Sequence, residues 1–185
     1  RVVYLGYDWY ATATNADWGQ ALSAALTPTT RVVLTCNFED ASMCGFSADS
    51  AWSLQSGPTP SSSTGPDDAY SGASYVYIEA SSPNFPSEVF DLTSAEFSTA
   101  SSGLVDFAYH MFGSSMGTLE LRISDDGTSW STLWSKSGNQ GNAWQNASAE
   151  FSVPTSYVQF RGTTGASYTS DMAVDDLQVV GASLV

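Results

Sequence analysis

From Val32 onward, apolar residues return at every second position in short runs, and turn residues close each run. Leu119, Leu121 and Ile123 alternate with Glu120 and Arg122, and Asp126-Gly127 ends the run. Val105, Phe107, Tyr109 and Met111 alternate with Asp106, Ala108 and His110, and Val158 and Phe160 alternate with Gln159 and Arg161. Tyr75-Val76-Tyr77-Ile78 follows the GPDDAYSG turn region. A period of two places successive side chains on opposite faces of a strand. Half-buried strands with no helix between them pair antiparallel and bury their apolar faces sheet against sheet. The expectation for residues 31–185 is therefore an all-β sandwich of two antiparallel sheets. The SGPTPSSSTGP segment, residues 56–66, reads as a long surface loop inside that domain, because its flanks belong to the same pattern.

The first thirty residues have a different rhythm. RVVYLGYDWY reads as a strand; Asn15 or Asp17 can then cap a helix with Trp18, Ala21, Leu22, Ala25 and Leu26 on one face, ended by Pro28. This strand-helix appendage, residues 1–30, weakly resembles the closing segment of a glutamine-amidotransferase-like α/β domain. It is expected to be a remnant of a preceding domain, or a strand that adds to a sheet edge of its own or a neighbouring molecule. A chain that opens at Arg1 without an initiator Met reads as a processed or excised piece of a longer protein.

Nineteen acidic residues against five basic ones give a formal net charge of −14. Such a surface repels a nucleic-acid backbone and an anionic membrane, so nucleic acid is set aside as a partner. No stretch has the unbroken apolar length of a membrane span, so no direct membrane insertion is expected. Cys36 and Cys44 are too few for a tetrahedral zinc site and lie far in sequence from the single His110. They suit a small-loop disulfide in an oxidising compartment, with two free core thiols as the alternative.

Three acidic pairs sit where strands end or slip: Glu39-Asp40, Asp67-Asp68 and Asp175-Asp176. Met172 and Val174 share one parity, Leu177 and Val179 the other, so a bulge is predicted at Asp175-Asp176. Carboxylates inside an apolar strand are costly unless paired or bound to a cation, and all-oxygen ligands select calcium over zinc. The alternative is that these acids are solvated turn residues or caps on backbone amides.

The motif order CNFED, CGF, GPTP, TGPDDAYSG, SYVYIEAS, YHMFG, MGTLELRI, LWSKSGNQGNAW and DMAVDDLQV resembles the MAM domain family over about residues 34–181. That resemblance implies a jelly-roll β-sandwich, an extracellular or cell-surface location, and adhesion, oligomerisation or ligand recognition without catalysis. It matches Cys36 and Cys44 to the first cysteine pair of the family's four; the positions of the second pair hold no cysteine, which suggests a divergent member. It also implies a structural calcium ion on Glu39, Asp68 and Asp176, with Asp67 and Asp175 as further candidates. Neighbouring first and last strands of a jelly roll would bring Glu39 toward Asp175 or Asp176.

No GxSxG elbow or other nucleophile motif accompanies His110, which reads as a structural strand histidine. Asp171 reads as an edge or turn residue. Trp52, Trp130, Trp134 and Trp144 would form a sugar-stacking platform if they shared a face; the alternative is that they fill the core and its ends. Asn146-Ala147-Ser148 is an N-glycosylation sequon. The functional expectation is a non-enzymatic module for protein partners or self-association. A carbohydrate-binding module of a larger secreted enzyme and a structural subunit assembling through residues 1–30 are the alternatives.

Overall fold

A computed structural model describes residues 29–39 and 41–183. The strand-helix appendage expected over residues 1–30 and the side chain of Asp40 fall outside them, save for Thr29 and Thr30 in the first strand. The described residues hold eleven strands: β1 (Thr29–Cys36), β2 (Ser47–Ala48), β3 (Trp52–Gln55), β4 (Tyr75–Ile78), β5 (Val89–Thr93), β6 (Ser102–Met111), β7 (Thr118–Ser124), β8 (Ser131–Ser137), β9 (Gln145–Phe151), β10 (Tyr157–Thr163) and β11 (Met172–Ser183). They form two antiparallel sheets, one ordered β3-β4-β11-β6-β9 with β1 also on β11, the other β2-β5-β10-β7-β8. This is the two-sheet sandwich the alternation predicts, with strands at Tyr75–Ile78, Val105–Met111, Leu119–Ile123 and Val158–Phe160 as expected.

The core lies between the sheets. Val105, Phe107, Tyr109 and Met111 of β6 and Val76 and Ile78 of β4 face Leu119 and Leu121 of β7, Phe160 of β10 and Leu92 of β5. Phe107 stands edge-on to Phe160 and Trp134, at 4.9 and 5.1 Å between ring centres. Such pairs contribute about 0.5–1.5 kcal/mol each beyond the area they bury. Trp52 is buried in this core and donates its indole N–H to the Phe90 carbonyl at 3.1 Å. Trp52 and Trp134 thus take the core-filling role, and the four tryptophans share no exposed face.

The six-stranded sheet is covered on its outer side as well. Tyr75, Tyr77 and Ala173 form a second buried cluster with Ala69 and Trp144 against them, so all four residues of β4 are buried. The cover is the segment between β3 and β4, residues 56–74. The 56–66 stretch is therefore a packed loop: Thr59, Thr64, Gly65 and Pro66 are buried. The Thr64 hydroxyl donates to the Phe112 carbonyl at 3.0 Å and accepts from the Asp171 amide at 2.9 Å. The Thr59 hydroxyl closes the loop on itself by donating to the Thr64 carbonyl at 3.0 Å.

Candidate functional site: a loop pinned over a bulged strand

β11 is the central strand of its sheet, and its two sides differ. β6 runs beside it from Met172 to Ala182. On the other side β4 pairs only with Met172–Val174, and β1 only with Leu177–Ser183. The handover from β4 to β1 falls at Asp175-Asp176. There the register with β6 shifts, and Asp176 adopts φ of 47°. Met172, Val174, Leu177 and Val179 all point into the core, so the bulge predicted from their change of parity is present. The extra residue keeps the apolar phase inward. Aspartate is among the few residues that tolerate the left-handed region.

Two carboxylates fill the gap and anchor the loop that enters β4. Glu39, three residues beyond β1, accepts the amides of Ala73 and Ser74 on Oε1, both at 2.8 Å. Asp175, fully buried, accepts the amides of Tyr70 and Ser71 on Oδ2 at 3.0 and 3.2 Å, and that of Asp176 on Oδ1 at 2.7 Å. Gly72 sits between the two amide pairs with φ of 66°, and a Cβ there would collide with the Glu39 carboxylate. The β1-end loop carrying Glu39 is tied by the Cys36–Cys44 disulfide, so the two cysteines are bonded and not free thiols. Burial pushes the Asp175 carboxyl up to about 6, against the lowering effect of the amides.

The remaining candidates are spread around this centre. The carbonyl of Asp68 accepts the Trp144 indole N–H at 2.9 Å, while its carboxylate caps the adjacent Ala69 amide at 3.0 Å. Asp67 is exposed and lines a cavity of about 290 Å³ under residues 58–66, together with Phe112 and Asn142. Asp176 lines a second groove with Tyr70. The fold therefore converges Glu39 and Asp175 on one loop but does not gather Glu39, Asp68 and Asp176 around a point. Among the described residues, no three Asp, Glu, His or Cys side chains group closely enough to hold an ion between them. Among the described residues neither pinning carboxylate has a cationic partner, and the one ion pair is Arg161 with Asp91.

Two further titratable groups are buried on the same side of this sheet. Asp171 is wholly buried, accepts the Ala80 amide at 2.9 Å on Oδ1, and leaves Oδ2 without a partner. Burial raises its carboxyl to about 7. This differs from the expected edge position, because the cover over β11 is a loop with no periodicity to announce it. His110 is the expected structural histidine: buried, edge-on to Trp144 at 5.5 Å, with Nδ1 unpartnered and its pKa lowered by burial. Asn146 is exposed on β9.

Comparison with known proteins gives a consistent picture. The family model described as "MAM domain, meprin/A5/mu" matches residues 36–183. The MAM domain-containing glycosylphosphatidylinositol anchor protein 1 of Gallus gallus is 36% identical over 158 residues, 77% of this chain and 17% of the relative. Neuropilin-1a of Danio rerio is 35% identical over 164 residues, 78% of this chain and 17% of the relative. The chain spans about a sixth of the length of these relatives. Among solved structures, the K2 cleaved adhesin domain of Lys-gingipain superposes with a TM-score of 0.61 at 18% identity, covering 82% of this chain and 99% of that one. TmCBM61, solved with β-1,4-galactotriose, gives 0.53 at 20% identity, covering 80% and 97%. At these identities the structural likeness shows the fold alone.

Proposed function

The chain belongs to the MAM domain family, and from that premise we propose that it is a recognition module that binds a protein partner or a second copy of itself. The family is one of extracellular adhesion and interaction modules, so the chain is assigned to the extracellular or cell-surface space. The observation that carries the reading is the continuous family match over residues 36–183, set on a sandwich whose two sheets both close as a packed domain. The test is light scattering after size exclusion, over a concentration series with and without calcium, beside capture of cell-surface ectodomains on the immobilised chain. Concentration-dependent oligomers or a saturable ectodomain partner support the module. A monomer that captures nothing in either condition overturns it. Deleting residues 1–30 separates the rival in which that segment drives assembly: oligomers should persist without it.

The finer part of the proposal is a structural calcium ion beside the pinned loop. What supports it is that Glu39 and Asp175 direct hard oxygens at one short loop and are met there by backbone amides, without a cationic side chain on either among the described residues. These two residues would hold the ion, with loop carbonyls and water completing its shell, while Asp67, Asp68 and Asp176 would add negative charge nearby.

A second reading, glycan binding, is favoured by one feature of the other sheet. There the Arg122 guanidinium lies over one face of the Trp130 ring, 5.8 Å from its centre, and its Nη1 donates to Gln159 at 2.9 Å, next to Glu120 and Thr132. An aromatic ring beside a row of polar side chains suits sugar stacking. Binding on a glycan array that disappears in Trp130→Ala would move this reading ahead of the first.

A further inference from the structure

A groove of about 440 Å³ crosses the outer face of the six-stranded sheet at the edge of the pinned loop. It is lined by Tyr70, Asp106, Phe107, Ala108, Asn146, Ala147, Ser148 and Asp176. Its parts follow from the register. Ala108 of β6 pairs with Asn146 of β9 on one side and Asp175 of β11 on the other; Asp106 pairs with Ser148 and Gln178. The small Ala108 makes a low floor. The bulge brings Asp176 to one wall, because the residue inserted there is free of the strand's alternation. Tyr70, 41% exposed, also lines the groove and stands edge-on to Trp144 at 6.1 Å. The backbone that carries this ring is anchored, since the Tyr70 amide donates to Asp175.

Three properties set what this groove can take. It carries two carboxylates and no Lys or Arg among its lining residues. Among the described residues, none of the side chains of Asp106, Asn146, Ser148 and Asp176 is engaged in a hydrogen bond with another, so their capacity is open. The third property is a half-exposed, positioned aromatic ring. A neutral pyranose would use the ring and the polar groups but leave the two like charges uncompensated. A guanidinium satisfies all three: it forks onto carboxylates, stacks on an aromatic face and accepts no hydrogen bonds of its own. We infer that this groove seats an arginine-bearing segment of a partner protein. The inference rests on the reading of the chain as a protein-recognition module and names the chemistry of its partner.

The experiment is a titration of the full chain, isotope-labelled and made without glycosylation, because a glycan on Asn146 would cover the groove. The probe is the blocked tripeptide acetyl-Gly-Arg-Gly-amide, followed by amide chemical shifts in chelator; the citrulline counterpart and xylotriose are run alongside. The expected result is saturable shifts at Tyr70, Ala108 and Asn146–Ser148 with the arginine peptide and none with the citrulline one. Asp106→Asn with Asp176→Asn should weaken binding by about tenfold or more. Asn tolerates the positive φ at position 176, so this pair should remain folded. Glu88→Gln with Asp125→Asn removes the same charge elsewhere and should leave the affinity unchanged. Tyr70→Leu, which keeps the apolar cover but loses the ring, should weaken binding as a second, independent check. Shifts scattered over the acidic surface, equal weakening in both charge-removal pairs, or groove shifts with xylotriose alone would each overturn the inference. Ectodomain capture that survives the Asp106/Asp176 pair would sink the groove while leaving the module reading in place.

Discussion

Asp171 carries a carboxyl raised to about 7 by burial, with one oxygen on the Ala80 amide and the other unpartnered. The native state therefore binds its proton more tightly than the unfolded chain, where a carboxyl titrates near its ordinary value of 3.8. A raised carboxyl pKa costs stability when the group is ionised. That cost is present above about pH 7 and is relieved as pH falls toward 4. Asp175, raised to about 6, adds a contribution of the same sign in the lower part of that window. His110 opposes both, because its lowered pKa makes protonation destabilise the native state as pH falls. Asp171→Asn isolates the contribution of Asp171. The melting temperature of the wild type minus that of the variant should increase as pH is lowered from about 7.5 to about 4.5. A difference that stays flat across this range would show that Asp171 is not held in the raised state described.

The loop over residues 67–74 depends on four amides divided between two side chains, and each pair can be released separately. Glu39→Ala should speed hydrogen exchange at Ala73 and Ser74 with less effect on Tyr70 and Ser71; Asp175→Ala should do the reverse. Losing two such bonds at Glu39, or three at Asp175 where the Asp176 amide is also released, is expected to cost about 1–3 kcal/mol, roughly a 2–10 °C fall in melting temperature for a domain of this size. Uniform exchange in both variants would mean the loop is held by other contacts. Opening the Cys36–Cys44 loop with Ser at both positions should cost about 2–3 kcal/mol by loop entropy and raise exchange at the Glu39 pair first. The strands that meet across the core were legible in the sequence, because burial on one face writes a period of two into residues such as Leu119, Leu121 and Ile123. The bulge was legible too, as a change of parity around Asp175-Asp176. What that parity does not encode is which of the two carboxylates turns under the loop and which faces the groove. The outer-face burial of Tyr75, His110 and Asp171 was equally silent, since their cover is a Ser-, Pro- and Gly-rich loop held by hydroxyls and carboxylates bonded to backbone groups distant in sequence.

At the scale of the molecule, a formal net charge of −14 is answered by a single ion pair among the described residues. Self-repulsion of this size acts on the whole sandwich, whereas the charge of Glu39 and Asp175 is concentrated at one seam. The two respond differently to added ions. Monovalent salt screens every exposed carboxylate within a Debye length of about 10 Å at 0.1 M, so it should raise the melting temperature gradually and without saturation. A bound cation stabilises instead by the logarithm of its concentration over its dissociation constant, and only through the residues that hold it. Calcium added to chelator-treated protein, at an ionic strength matched with sodium chloride, should therefore raise the melting temperature beyond the salt effect. The excess should vanish in Glu39→Gln with Asp175→Asn and persist in Asp125→Asn, which removes charge at an exposed turn. The increment is the quantity to compare, because the pinning variants begin from a lower stability of their own. An increment no larger than that of matched salt would remove calcium from the proposal and leave Glu39 and Asp175 as pins for the loop alone. An increment that survives in the double variant would move the ion elsewhere, with Asp67 and Asp68 the next acids along the loop.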